Sequence, residues 1–245
     1  LKLIIDNYPA DLMEELDASY WPRDVPKEGS RKVPFSRELY IEQDDFMEFP
    51  PEDFYRLAAG REIRLRFGYI VKCVEVVKDA QTGKVIEVHC TYDPETKGGV
   101  AGKGRRVQTI HWLSAKDALP AEVRLYDRLF TVPNPDDVEE GKSFRDVLNP
   151  YSKEVLTGAF VEPSVAIDPP GMRYQFERLG YFVSDIEESR ADRLVYNRII
   201  ELRDPWVAKR DASADVVVAA PAPSKAKVTN NSSEQENRRS KNDAR

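Results

Sequence analysis

Short segments in which apolar and polar residues alternate recur along most of this chain, and they constrain its fold more than any other feature. In REIRLRFGYI (61–70), apolar residues alternate with Arg64 and Arg66. A period of two is typical of a β-strand with one buried face, and it places both arginines on the other face, roughly 6.6 Å apart. Similar segments lie at 32–42, 84–92, 105–115 and 122–130. The alternation predicts a mainly β protein.

The number and spacing of these segments favour two β-barrels with a few short helices. Helices are predicted at PPEDFYRLAAG (50–60), which begins with prolines and ends at Gly60, and at SFRDVLNP (143–150), with Ser143 as N-cap. We expect a first barrel region over residues 1–110 and a second over 111–207, with strands able to interleave between them. Residues 208–245 are rich in Ala, Ser, Asn, Pro and charge, so a disordered tail is expected there.

Composition excludes several classes of function. The chain carries 37 Lys and Arg against 43 Asp and Glu, a net charge of −6, which argues against a general binder of DNA or other polyanions. Two cysteines are too few for a disulfide framework, and two histidines are too few for a His-rich metal site. No nucleophilic site, phosphate loop or long apolar run is recognisable. We expect a cytoplasmic monomer with no catalytic residue, metal or cofactor in this chain, and no DNA or membrane partner.

Arginines and aromatic side chains are interleaved within residues 54–69, a group that includes Tyr55, Arg56, Arg64 and Arg66. Unstacked RNA bases are bound by stacking on aromatic rings and by hydrogen bonds from arginine to the base edges. Adjacent nucleotides are spaced about as far apart as residues i and i+2 of a strand, so Arg64 and Arg66 could each contact one nucleotide. Taken alone, alternating arginines more often form a plain solvated face.

Longer stretches resemble the glutaminyl-tRNA synthetase family. They are GSRKVPFSRELYIEQDDF (29–46), YRLAAGREIRLRFGYIVK (55–72), TIHWLSAKDALPAEVRLYDRLFTVPNPDD (109–137), RYQFERLGYFVSD (173–185) and LVYNRIIELRD (194–204). The resemblance covers roughly residues 1–207 and implies the C-terminal half of the enzyme, two β-barrels that hold the anticodon loop of tRNA(Gln). The family's ATP-using Rossmann domain is not recognisable in this sequence, so the chain alone is expected to be inactive. Because it begins with Leu1 and not Met, a fragment of a longer protein is expected.

The resemblance also implies roles for single residues. The arginines of the EIRLR motif, here Arg64 and Arg66, would contact the first anticodon base, and Arg56 of the YRL motif would contact the third. Gln175 of the QFER motif would read the middle uracil, a task that suits an amide because it both donates and accepts hydrogen bonds. Tyr55 stands where bacterial members often have lysine, which could exchange a phosphate contact for stacking. The family also uses an arginine from a position before Leu1.

Other functions remain compatible with these patterns. The first is the anticodon-binding region of glutamyl-tRNA synthetase of the archaeal or eukaryotic type, although Gln175 and the stretch from 111 to 130 favour the glutaminyl family. The second is a stand-alone RNA-binding β-barrel without catalysis. The third is a protein–protein adaptor, in which the arginine face would bind acidic partners.

Overall fold

The computed structural model describes residues 1–21, 25, 28–99 and 107–202. The tail predicted at 208–245 lies outside these residues. The strands, in chain order, are β1 (Lys2–Ile5), β2 (Glu14–Ser19), β3 (Ser30–Phe35), β4 (Glu38–Tyr40), β5 (Phe46–Met47), β6 (Leu57–Ala58), β7 (Glu62–Leu65), β8 (Ile70–Lys78), β9 (Val85–Asp93), β10 (Thr109–Ile110), β11 (Leu113–Ser114), β12 (Leu119–Tyr126), β13 (Lys153–Val161), β14 (Arg173–Phe176), β15 (Gly180–Ser184) and β16 (Leu194–Glu201). Short 3₁₀ helices occupy Gln43–Asp45, Pro94–Gly99, Phe144–Val147 and Pro163–Ile167. The prediction of a mainly β protein with short helices is therefore confirmed.

Two larger sheets organise the strands, and the fold includes a sheet curled into a half-barrel. The first has seven strands in the order β10-β7-β8-β9-β1-β4-β11, and the second has five in the order β13-β12-β16-β15-β14. Both mix parallel and antiparallel neighbours, as in the parallel pairs β1–β9 and β12–β16. The first sheet includes β11 and thus continues past residue 110. The division into two anticodon-binding regions stays a prediction.

Each larger sheet has its own apolar core, built from alternate residues of the strands. In β1 and β7 every second side chain is buried, which gives Leu3 and Ile5 on one strand and Ile63 and Leu65 on the other. The second core contains Val123, Val161, Phe182 and Tyr196. Each large apolar side chain that is fully buried in this way contributes about 1.5–3 kcal/mol.

The segment REIRLRFGYI is a hairpin, and the prediction of one continuous strand over it is wrong. β7 ends at Leu65, and the chain turns before β8 begins at Ile70, with Arg64 paired to Ile70 across the two strands. Phe67 adopts the left-handed region with φ 63°, a conformation that a strand residue does not have. Arg66 therefore lies in a turn, and it does not share a strand face with Arg64.

The two helix predictions have different outcomes. Residues 50–60 form turns and the short strand β6, so the helix predicted there is wrong; Gly60, with φ 74°, serves a turn and ends no helix. Phe144–Val147 is a single 3₁₀ turn with Ser143 as its N-cap, as predicted. Ser143 and Asp146 form a capping box, in which each side chain satisfies the other residue's backbone N–H.

Side chains from the two sheets also contact each other. Tyr40 of β4 stacks on Phe160 of β13 with ring centroids 4.9 Å apart. Arg31 of β3, which pairs with β2 in a separate two-stranded sheet, forms a two-pronged ion pair with Glu162, the residue after β13. No helix in the described part of the chain is long and apolar enough to cross a membrane. The turn after β7, which contains Arg66, lies close to the turn after β14, the strand that contains Gln175.

Candidate nucleic-acid interface

The backbone of the turn after β7 is fixed on both sides of Arg66. The Arg66 N–H donates to the carbonyl of Ile110 at 3.1 Å, and the Trp112 Nε1–H donates to the Arg66 carbonyl at 2.8 Å. Trp112 is buried edge-on against Phe35, with ring centroids 5.0 Å apart. The core therefore holds the position from which the Arg66 side chain extends.

The Arg66 guanidinium meets an acidic residue from the second sheet. Its Nη1 donates to Glu177 Oε1 at 2.5 Å, and its Cζ lies 5.2 Å from the centroid of the Phe67 ring. Glu177 belongs to the same QFER motif as Gln175. The ion pair is partly open to solvent, because the Arg66 and Glu177 side chains are 41% and 29% exposed.

Arg64 has a different environment from Arg66. Its Nη1 donates to the backbone carbonyl of Thr96 at 3.0 Å, and burial lowers the pKa of its guanidinium. Thr96 is itself held in place, because its hydroxyl accepts from the Ile70 N–H and donates to the Asp93 carbonyl. Arg64 thus helps to tie β7 to the 3₁₀ helix that follows β9.

Arg56 lies beside a buried carboxylate. Its Nη1 donates to the Asp44 carbonyl at 3.1 Å, and its Nε lies 3.5 Å from Asp45 Oδ1. Asp45 is fully buried and also accepts from Arg178 Nη2 at 2.6 Å. Two arginines that are far apart in the sequence therefore share one acid, and Arg178 is the last residue of the QFER motif.

Gln175 lies in β14 with its side chain exposed. Its neighbours Tyr174 and Phe176 pack against the second core with their rings stacked at 6.1 Å, and adjacent strand residues point to opposite faces. The Gln175 amide therefore points away from the core. Within the described part of the chain, no hydrogen bond of its side chain is found, so the amide is available to a ligand.

Tyr55 is 68% exposed, whereas its neighbour Phe54 is buried. Tyr55 borders a shallow groove of about 410 Å³ that is also lined by Phe54, Arg56, Arg61, Glu62, Val107 and Gln108. An exposed aromatic ring beside arginine side chains can stack on a nucleobase. This groove also contains Arg56, so Tyr55 and Arg56 could contact the same nucleotide.

Comparison with known proteins agrees with this geometry. Two family models, both described as the anti-codon binding domain of class I (E and Q) tRNA synthetases, match residues 1–93 and 109–185. The chain belongs to this family. The resemblance found in the sequence motifs is therefore confirmed.

Curated relatives of this anticodon-binding family member are named glutamine–tRNA ligase. Those of Nitrobacter winogradskyi and Nitrobacter hamburgensis are 51% and 53% identical over 207 residues, which is 84% of this chain. That of Nitrosomonas europaea is 49% identical over 208 residues. The chain spans 36% of the length of each of these relatives.

The anticodon-binding region contains three charged residues that sequence reasoning did not assign. Glu177 and Arg178 lie inside the QFER motif, where only Gln175 was assigned, and their adjacency to it was a usable signal. No feature of the sequence pointed to Asp45, because its pairing with Arg56 and Arg178 depends on contacts between distant parts of the chain. These three residues connect the predicted sites: Glu177 contacts Arg66, and Asp45 joins Arg178 to Arg56.

Proposed function

We propose that this chain binds the anticodon loop of tRNA(Gln) as the anticodon-binding part of a glutamine–tRNA ligase. The proposal is supported by the name of relatives that are about half identical to the chain over 84% of its length. The reaction that joins glutamine to tRNA with ATP would take place in the part of the ligase that lies outside the region matched by this chain. We further propose that the ligase is cytoplasmic and that the chain is a monomer.

One structural observation carries the proposal. The segment 175–178 is in contact with both arginine sites, because Glu177 pairs with Arg66 and Arg178 shares Asp45 with Arg56. Gln175 lies in the same segment with an exposed amide. A single loop of RNA with splayed bases could therefore meet Arg66, Gln175 and Arg56 on neighbouring elements.

The proposed roles follow from what each side chain can offer. Arg66 extends from a fixed turn and would contact the first anticodon base, supported by Arg64, whose guanidinium already bonds the Thr96 carbonyl. The Gln175 amide would read the middle uracil by donating and accepting at its edge. Arg56 would contact the third base, with Tyr55 stacking on a neighbouring nucleotide.

Binding of RNA hairpins by the 245-residue chain tests the proposal. Fluorescence anisotropy should show that a hairpin whose anticodon triplet ends in UG binds more tightly than one whose middle base is cytosine. We expect a difference of about 1–3 kcal/mol, the usual cost of one wrong base at a specific contact. A third hairpin with a triplet ending in UC distinguishes glutamyl from glutaminyl specificity. Equal affinity for all three hairpins would refute anticodon recognition.

A further inference from the structure

Arg66 and Glu177 meet at two tight turns of similar construction. In the turn at 65–68 the Gly68 N–H donates to the Leu65 carbonyl at 2.9 Å, and in the turn at 176–179 the Leu179 N–H donates to the Phe176 carbonyl at 3.0 Å. The third residue of each turn is in the left-handed region although neither is glycine: Phe67 has φ 63° and Arg178 has φ 65°. Such residues carry a backbone cost that the surrounding contacts must offset.

Both turns are held in place without help from the Arg66–Glu177 pair. Ile110 and Trp112 fix the backbone at Arg66, as described above. The second turn is held by Arg178, which bonds the fully buried carboxylate of Asp45. The pair between Arg66 and Glu177 is therefore not needed to build either turn.

The pair itself is of a kind that breaks easily. Both side chains are partly exposed, and ion pairs in contact with water contribute little to folding. The pair between Asp45 and Arg178 is the opposite case. Asp45 has no access to water, so removal of its partner would strongly destabilise the fold. The contact between the two turns is thus exchangeable, whereas the contact of the second turn with Asp45 is permanent.

We propose that Glu177 is an exchangeable counter-ion that occupies Arg66 until RNA displaces it, and that it thereby sets the affinity of the Arg66 site. The inference rests on the proposed function, since it assumes that Arg66 contacts RNA. When the loop binds, acceptor atoms of the RNA take the place of the Glu177 carboxylate on the guanidinium. Glu177 then turns towards water, as its exposure permits.

This exchange has a consequence for unspecific binding. With Glu177 in place the Arg66 site carries no net charge, so a phosphate group gains little by approaching it. The whole chain is acidic, with a net charge of −6, which further disfavours RNA that makes no other contacts. Glu177 therefore weakens the binding of any RNA that cannot displace it from the Arg66 guanidinium.

The variant Glu177→Gln tests the proposal, because it removes the negative charge and keeps the shape of the side chain. We expect it to bind the hairpin with a triplet ending in UG about two- to fivefold more tightly than the wild-type chain, the range that corresponds to an exposed ion pair. The dependence of affinity on salt should also become steeper, by up to about 0.7 in the slope of log K against log salt. A purely structural role of Glu177 would not produce that change.

A matched control separates exchange at Arg66 from a general change in charge. Glu154 lies exposed on β13, at the opposite edge of the five-stranded sheet from β14, so Glu154→Gln alters the net charge equally. The proposal expects a smaller gain from it, and expects the gain from Glu177→Gln to vanish when Arg66 is alanine in both proteins. Equal gains from the two glutamine variants, or a gain that persists without Arg66, would overturn the proposal. A wild-type chain that does not distinguish the hairpins would instead refute the proposed function, and with it this inference.

Discussion

Two arginines of this chain, Arg124 and Arg66, have acidic partners, but their surroundings differ. Arg124 of β12 is 8% exposed and is bound by Glu122 and by both carboxylate oxygens of Glu188. These bonds raise the pKa of the Arg124 guanidinium. Arg66 is 41% exposed and has one bond to one carboxylate. Both lie in segments that resemble the same family, so sequence similarity alone does not separate their roles.

The difference shows what makes an arginine able to bind a ligand. The nitrogen atoms of Arg124 are already occupied in a nearly closed site, so an incoming nucleotide would have to break several charge-assisted bonds at once. Arg66 has a fixed backbone and a side chain with one exchangeable partner. The geometry therefore favours a structural role for Arg124 and a binding role for Arg66, and the predictions below test that contrast.

The largest effect is expected from Arg124→Ala. The substitution removes the more buried of two arginines that contact both Glu122 and Glu188, the other being Arg193. Breaking a buried ion pair typically costs about 3–5 kcal/mol, and because Arg193 remains and Glu188 is partly exposed, we expect a loss at the lower end of that range. Urea unfolding measures the loss. Arg128→Ala is the matched control, because the Arg128 side chain is 81% exposed, and its stability should stay within about 0.5 kcal/mol of wild type. If Arg124→Ala is as stable as wild type but binds RNA more weakly, Arg124 has a binding role and the proposed contrast with Arg66 is wrong.

A smaller effect is expected from pH, through His111, which follows Ile110 beneath the Arg66 turn. Burial lowers the pKa of His111 to about 4, and the nearby charges of Arg178, Arg31 and Arg66 also lower it, against an opposing effect of Glu162. The unfolded chain, with a histidine pKa near 6.5, binds the proton more readily, so this contribution to stability is complete above about pH 6.5 and is lost as the pH falls towards 4.

The expected loss at His111 is about 2–3 kcal/mol over that range. Urea unfolding at a series of pH values should show it, and His111→Gln should flatten the part of the curve between pH 6.5 and 4. His89→Gln is the comparison, because hydrogen bonds that His89 donates to Asp6 and Glu87 raise its pKa and give a pH dependence of the opposite sign. If His111→Gln leaves the curve unchanged, the pKa of His111 is the same in the folded and the unfolded chain, and burial and the nearby arginines do not lower it.

Arg66→Ala should weaken binding of a hairpin whose triplet ends in UG by about 1–3 kcal/mol, because it removes the proposed contact of Arg66 with the first anticodon base. Its unfolding free energy should change by less than about 0.5 kcal/mol, since the ion pair with Glu177 is partly exposed. Arg64→Ala is expected to weaken binding less and to destabilise the chain more, because Arg64 is bonded to Thr96. If Arg64→Ala weakens RNA binding more than Arg66→Ala does, Arg64 is the principal contact.

The sequence was sufficient for the class of the fold and for the family, but not for the shape of the site. Alternation correctly indicated strands, yet it could not reveal the turn within 61–70, because Phe67 occupies a left-handed position where glycine would have been the usual signal. The prolines and Gly60 of residues 50–60 suit a short helix and a pair of turns equally well. Only the three-dimensional structure decides between them.

Contacts between distant residues account for the remaining differences. Pairing of Asp45 with Arg178 spans 133 positions, and pairing of Arg66 with Glu177 spans 111. Neither follows from local periodicity, which reports only the face on which a side chain lies. The motif QFER pointed to Gln175, but the roles of the two charged residues beside it depend on what the first sheet places opposite them.

The smallest effect is expected from Gln175→Ala. The amide is exposed and lies outside both ion pairs, so stability should change by less than about 0.5 kcal/mol. Loss of one or two neutral hydrogen bonds to a base should reduce the preference for uracil over cytosine at the middle position by about 1 kcal/mol. Anisotropy titrations with the two hairpins measure that preference as a ratio of affinities. Tyr181→Ala, which removes the exposed side chain opposite Gln175 in β15, is the control and should leave the ratio unchanged. If Gln175→Ala weakens both hairpins equally, the residue supports the loop without reading the base, and the binding role would rest on Arg66 and Arg56.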